Sequence, residues 1–184
     1  MNYAKIEPMS IVDSAGCRVS IFVSGCDIHC DDCFNSIAWD FNYGKKFTEI
    51  ELNELITLCN KPYISGISIL GGEPCSLNNQ AEILKILKKK IKQACPGKNV
   101  WLFTGYVYEK DLLEGQRQNI NGLTSSLLEM VDILVDGPFI LEQRDLNLKF
   151  RGSSNQRLLT REDRQRIYNE YTRHGQGAKE KSII

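Results

Sequence analysis

The chain lacks an excess of charge of either sign: Lys plus Arg and Asp plus Glu number 23 each, so the formal net charge is zero. No global field therefore draws it to nucleic acid or to an anionic membrane, and neither partner is expected. Long apolar runs are missing as well. Met1–Gly16 does not read as a signal peptide and no segment is long enough to span a bilayer, so a cytoplasmic protein is expected. Internal repeats and low-complexity tracts are absent. Cysteine is the exception to this plainness. There are seven, an odd number, and in a reducing compartment they do not form a disulfide framework. Clustered thiols there point to metal or redox chemistry.

Hydrophobic residues at 42% and charged residues at 25% are ordinary for a globular domain. Strands and helices alternate along it. Arg18 to Ser24 sets Val19, Ile21 and Val23 against Arg18, Ser20 and Ser24, the period of a strand. Thr48 and Glu51 have capping-box spacing, and Leu52, Leu55, Ile56 and Cys59 continue a helix that Pro62 closes. Ile64 to Leu70 is a buried strand. Asn78 or Asn79 is placed to cap a helix with the stripe Ile83, Ile86, Leu87, Ile91 and Ala94, stopped at Pro96-Gly97. Its run Lys88-Lys89-Lys90 with Lys92 reads as a solvated face. Val100 to Phe103 and Val131 to Val135 are further strands. A weaker helical region between Tyr108 and Met130 is broken around Gly115 to Gly122. Such alternation predicts an α/β fold with a mostly parallel sheet. Four units are too few to close a barrel, so an open, partial (βα) barrel is expected. Sites in parallel α/β folds gather at the carboxyl ends of strands. Loops 25–35, 71–74, 104–106 and 136–139 each follow a strand and should open onto one face.

The first loop holds Cys26, Cys30 and Cys33, a C-x3-C-x2-C pattern. Thiolate is the usual protein ligand of iron–sulfur clusters, and three cysteines leave one iron of a cubane open to a substrate. Offsets of four and seven also fit a buried helical stripe. Ser24-Gly25 and the interleaved Asp27, Asp31 and Asp32 favour a loop wrapped around a ligand instead. Structural zinc with His29 as fourth ligand is a further alternative, made awkward because His29 adjoins Cys30. Gly71-Gly72-Glu73-Pro74 follows the second strand. Two glycines let backbone approach a ligand, Pro74 stiffens the exit, and Glu73 offers a carboxylate to a cationic amine. A plain strand-to-helix turn would look the same. Its value comes from its neighbour, the cysteine loop.

These two motifs together resemble the radical S-adenosylmethionine superfamily. Met1-Asn2-Tyr3, Phe22 to Cys26, Cys33-Phe34-Asn35, Trp101 to Tyr106, Leu134 to Phe139 and Arg151 to Arg157 narrow the resemblance to the activating proteins of anaerobic (class III) ribonucleoside-triphosphate reductases. The resemblance covers residues 1–157 as one activase domain. It implies a 4Fe–4S cluster on Cys26, Cys30 and Cys33, with S-adenosylmethionine chelating the open iron. Asp32, Cys33 and Phe34 would border that molecule, as would Gly71, Gly72, Glu73 and Pro74. Superfamily members often carry an aromatic just before the third cysteine; here Asp32 stands there and Phe34 follows. The implied partners are the large subunit of the reductase, on which a glycyl radical forms, and reduced flavodoxin or ferredoxin as electron donor. The cofactors carry the chemistry, so no side-chain acid or base is assigned. An activase of another glycyl radical enzyme, formate-lyase type, and a non-catalytic zinc or iron–sulfur module are the alternatives.

Arg151 to Arg157 reads either as part of the site or docking face, or as a salt-linked loop. Cys17, Cys59, Cys75 and Cys95 are not expected to be ligands, and Trp39 and Trp101 are expected to pack. Residues 158–184 form a charged extension in which a short helix and then a frayed tail are expected.

Overall fold

The computed structural model describes residues 1–113, 116–119 and 122–180, without the side chains of 89, 90, 92 and 174–180. Its centre is a seven-stranded mixed sheet in the order β3-β1-β2-β4-β5-β6-β7. The strands are β1 (Asn2–Ser10), β2 (Arg18–Val23), β3 (Lys45–Lys46), β4 (Gly66–Gly71), β5 (Asn99–Phe103), β6 (Ile133–Asp136) and β7 (Arg157–Leu159). The four strands read from the sequence are the parallel centre: β2 pairs β4, β4 pairs β5 and β5 pairs β6. Three antiparallel strands flank them and were not anticipated, β3 and β1 on one side and β7 on the other.

Helices supply the crossovers. In α1 (Glu49–Cys59) the expected capping box is formed, with Thr48 Oγ1 accepting from Ile50 N at 3.2 Å and Glu51 Oε2 accepting from Thr48 N at 2.8 Å. The next helix, α2 (Leu77–Ile86), continues through a π turn, Leu87–Ile91, into α3 (Lys92–Ala94). Of its expected stripe, Ile83, Ile86, Leu87 and Ile91 are buried and Ala94 is half-buried. Lys88 is exposed as expected; the side chains of Lys89, Lys90 and Lys92 lie outside the described residues. Its cap differs from expectation: Ser76 is the N-cap, and Asn78 and Asn79 lie inside the first turn. The weak region between Tyr108 and Met130 resolves into a π turn, Tyr108–Leu112, and a short α4 (Leu123–Leu128); residues 114, 115, 120 and 121 lie outside the described residues.

The last helix, α5, runs Arg161–Glu180, 20 residues where a short helix was expected. Its start is fixed by Thr160 Oγ1 accepting from Asp163 N at 3.1 Å while Asp163 Oδ2 accepts from Thr160 N at 3.1 Å. Arg164 then buries its guanidinium, donating to Val131 O at 2.6 Å and Leu159 O at 3.0 Å. The frayed end expected beyond it falls on 181–184, outside the described residues. No helix among the described residues is long and apolar enough to cross a membrane.

Strand alternation sorts the two faces of the sheet. Val19, Ile21 and Val23 of β2, Ile67 and Ile69 of β4 and Leu102 of β5 share one buried core with Leu55, Ile83, Leu87 and Leu127 from the helices. The alternate positions build something else. Arg18, 1% exposed, donates through Nε to Ser68 Oγ at 2.9 Å and through Nη2 to Ile67 O at 2.8 Å and Asn99 O at 2.9 Å. Its Cζ lies 5.5 Å from the centre of the Trp101 ring. Burial lowers its pKa to about 10, so it stays charged at neutral pH. The pattern Arg18-x-Ser20 reads as water-facing, yet this arginine is a buried tie between three parallel strands. Arg18→Ala should therefore cost about 3 kcal/mol of unfolding free energy, because it strands acceptors in a dry interior. Urea titration would show this as a lower midpoint; an unchanged midpoint would mean that water satisfies those groups.

Candidate functional site

The loops after β2, β4, β5 and β6 meet at the carboxyl end of the parallel strands, as expected. Backbone rungs join the first two. Gly72 N donates to Val23 O and Glu73 N donates to Gly25 O, both at 2.7 Å. Gly25 N and Cys26 N donate in turn to Ala38 O at 2.8 Å and Trp39 O at 3.0 Å, so the cysteine loop is closed on its own far end. Glycine is required at the crossing. Gly71 has φ +114°, and a Cβ on Gly72 would lie 2.4 Å from Gly25 O.

Below these loops is a cavity of about 400 Å³ whose wall carries Cys26, Cys30 and Cys33 together with Phe34, Gly71, Gly72 and Glu73. That size suits a ligand of cofactor dimensions. Asp32 and Pro74 are not on this wall: Asp32 is exposed with φ +54°, and Pro74 is buried behind the turn. The other face of the cavity is apolar and aromatic, from Leu70, Phe103, Val135, Phe139 and Phe150. Cys26 is buried, and Cys30 and Cys33 are half-buried. Burial pushes the Cys26 thiol up, opposed by the backbone N–H groups of His29 and Ile28 directed at it. Cys30 is raised by burial too, opposed by the N–H of Phe139 from the loop after β6. N–H groups aimed at sulfur are what an electron-rich thiolate or cluster sulfur needs around it.

The remaining cysteines are elsewhere. Cys59 and Cys95 are buried in the core, Cys75 lies off the cavity wall behind Glu73, and Cys17 sits before β2. His29 stacks on Trp39, 4.5 Å between ring centres, and is not on the cavity wall. Among the described residues no three His, Cys, Asp or Glu side chains converge closely enough to hold one metal ion. A zinc ion needs its ligands on a single centre, whereas a cubane takes each thiolate on a different iron.

Glu73 is 1% exposed, and three donors engage its carboxylate. Oε1 accepts from Cys75 N and Thr104 Oγ1, both at 2.7 Å, and Oε2 accepts from Gly105 N at 2.8 Å. Burial raises its pKa to about 7 in spite of these bonds. A carboxylate has about four acceptor positions, so Oε2 keeps capacity for one further donor from the cavity. A raised carboxyl pKa means that the folded state binds a proton more tightly than the unfolded one. Stability without ligand is then fully present below pH ~4.5 and lost as pH rises through ~7, by up to about 3 kcal/mol. Chemical denaturation of ligand-free protein between pH 5 and pH 8 measures this, and Glu73→Gln should flatten that part of the profile. An equal slope in both proteins would assign the pH dependence to other groups.

Sequence reasoning missed Asn79. It is buried, and its Nδ2 donates to Ser24 O at 3.1 Å and Glu73 O at 3.0 Å, tying both loops to α2. No local signal distinguishes this role from a cap. The Arg151–Arg157 segment divides. Arg157 pairs with Glu109, Nη2 to Oε2 at 2.7 Å, and with the fully buried Asp136, Nε to Oδ1 at 2.9 Å. Gln156 Nε2 donates to Gly137 O at 3.0 Å and Asn155 Nδ2 to Pro138 O at 2.8 Å. The segment is thus clamped onto the loop after β6, while Arg151, Gly152 and Gln156 reach the cavity wall. Trp101 packs as expected, between Arg18 and Phe150. Trp39 also lines the cavity.

A family model described as "4Fe-4S single cluster domain" matches residues 12–159. The anaerobic ribonucleoside-triphosphate reductase-activating protein of Escherichia coli (strain K12) is 36% identical over 158 residues, 85% of this chain and 96% of the relative. Its namesake from Enterobacteria phage T4 is 36% identical over 165 residues, 89% of this chain and 96% of the relative. The chain belongs to this family of activating proteins. The family match begins before β2 and ends at β7, so it takes in the cysteine loop, the double-glycine turn and the clamped 151–157 segment. The helix α5 lies beyond it.

Proposed function

We propose that this activating protein cleaves S-adenosylmethionine reductively at a 4Fe–4S cluster and generates a glycyl radical on an anaerobic ribonucleoside-triphosphate reductase. The observation that carries the reading is the meeting of Cys26, Cys30 and Cys33 with Gly71, Gly72 and Glu73 on the wall of one cavity. The donor set fits the group: three thiols on one wall, with backbone N–H groups directed at two of them. When bound, the cluster and S-adenosylmethionine supply an electron and a carbon radical for hydrogen abstraction from a glycine of the partner.

The chain's own residues hold and shield. Cys26, Cys30 and Cys33 anchor the cluster. Gly71 and Gly72 present bare backbone to the methionyl part, and the free position on Glu73 Oε2 takes its ammonium. Phe34, 98% exposed at the cavity wall, is placed to border the adenosyl end. Leu70, Phe103, Val135 and Phe150 keep water from a radical formed between them. The seven-stranded mixed sheet with its parallel centre is read as the open partial barrel of the radical S-adenosylmethionine superfamily. The domain is taken as residues 1–157, the electron donor as a reduced flavodoxin or ferredoxin, and the compartment as the cytoplasm. Anaerobically reconstituted protein, mixed with the reductase, reductant and S-adenosylmethionine, should give a glycyl doublet by electron paramagnetic resonance. A doublet only on a formate-lyase would reassign the partner. One zinc per chain, no iron and no 5′-deoxyadenosine would reduce the protein to a binding module.

A further inference from the structure

The cavity wall carries one cationic side chain among the described residues, Arg151. It forms no ion pair there, unlike Arg157, Arg161 and Arg166. Its Nη1 donates to Gln156 O at 2.8 Å, while Nε is buried with no partner. A guanidinium presents five N–H donors in a planar fork, and a buried donor left unpaired is costly. The residue is also held in place. Gln156 Oε1 accepts from Gly152 N at 2.8 Å and from Ser153 N at 3.2 Å, folding the segment into a tight turn, and Gln156 and Asn155 fasten that turn to Gly137 and Pro138. A cation on a clamped loop, short of acceptors, shares its cavity with three thiols and two carboxylates that already have donors, Asp13 from Ser10 and Ser20 and Glu73 from its own turn and the next loop; it awaits an anion.

Resting on the functional reading above, we infer that Arg151 binds the methionyl carboxylate of S-adenosylmethionine and so fixes its orientation in the cavity. Glu73 and Arg151 then offer opposite charges to the two ends of an amino-acid zwitterion. The fork contacts the carboxylate in the manner that makes arginine–carboxylate pairs the strong ones. This makes Arg151 a determinant of specificity for the intact amino-acid moiety.

The test is equilibrium binding to anaerobically reconstituted protein, by calorimetry, of S-adenosylmethionine and of its decarboxylated analogue. Wild-type protein and Arg151→Gln are compared, with Arg151→Lys as a charge-retaining variant. Loss of the carboxylate also removes one iron ligand, and it does so equally in every variant, so the difference between proteins isolates the arginine. The expected result is that Arg151→Gln weakens S-adenosylmethionine by roughly 10- to 100-fold and leaves the analogue unchanged. Arg151→Lys should recover part of that loss. Equal weakening of both molecules by Arg151→Gln would overturn the inference and leave Arg151 a scaffold of its loop. A shift of the cluster potential with unchanged binding of both would overturn it too, making the guanidinium a tuner of the metal. Absence of S-adenosylmethionine binding by the wild-type protein would instead overturn the functional reading itself.

Discussion

Replacing Cys30 by alanine is expected to strip the reconstituted protein of most of its iron and to lower activation of the reductase by more than ~100-fold, beyond the loss that follows from disturbing an outer-shell partner. Cys30 is the middle cysteine of the loop, and its sulfur faces the N–H of Phe139 in the loop after β6, three strands along the sheet from β2. No other cysteine stands ready to replace it. Cys59, Cys75 and Cys95 are buried off the cavity wall. Cys17→Ala is the matching control: that thiol precedes β2, away from the cavity, and its loss should leave the iron content unchanged. Iron analysis with the visible absorption of the cluster reads both variants. Full iron in Cys30→Ala would contradict the assignment of ligands.

Gly72→Ala is expected to have the second largest effect, although it removes no functional group. The added Cβ would meet Gly25 O at 2.4 Å and Ala38 O at 3.1 Å, both backbone atoms of the cysteine loop or its far end. Neither is the tip of a flexible side chain, so the loop itself must shift, at a cost of about 2–3 kcal/mol. The hydrogen bond from Glu73 N to Gly25 O lies on the same crossing and would lengthen with it. Both iron retention and S-adenosylmethionine affinity should fall, the latter by more than about tenfold if the loss of packing is transmitted in full. Gly97→Ala separates strain from blocked space. Gly97 has φ +80° and nothing within 4 Å of an added Cβ, so that variant should cost only about 1–2 kcal/mol of stability and leave the site intact. Wild-type iron and affinity in Gly72→Ala would show that the crossing is looser than its contacts require.

How far the fold and site were legible depended on the range of the interactions behind each part. The central strands were visible because apolar and polar side chains alternate locally, as in Val19, Ile21 and Val23 set against Arg18 and Ser20, although both faces of β2 are buried. The strand β1 was not, since NYAKIEPMS contains Pro8 and is largely half-exposed, and its pairing with β2 is interrupted by register shifts. The strands β3 and β7 have two and three residues, too few to show any period. The same limit governs the site. Three cysteines within one loop and Gly-Gly-Glu within one turn are local patterns, and the parallel sheet brings them together. Arg18 depends on Ser68 and Asn99, and Arg157 on Glu109 and Asp136, partners far away in the chain. For such residues the sequence shows only a charge that reads as solvent-facing. Asn79 was mistaken for a cap for a related reason: asparagine near a helix start is a good cap, and only the fold reveals Ser24 and Glu73 carbonyls beside it.

The proposed function requires one iron without a protein ligand, open to S-adenosylmethionine. Anaerobically reconstituted and reduced protein should contain about four irons and four sulfides per chain, the content of one cubane. Adding S-adenosylmethionine should then change the electron paramagnetic resonance spectrum of the reduced cluster, because the molecule becomes a ligand. A cubane whose spectrum is identical with and without S-adenosylmethionine would contradict the account.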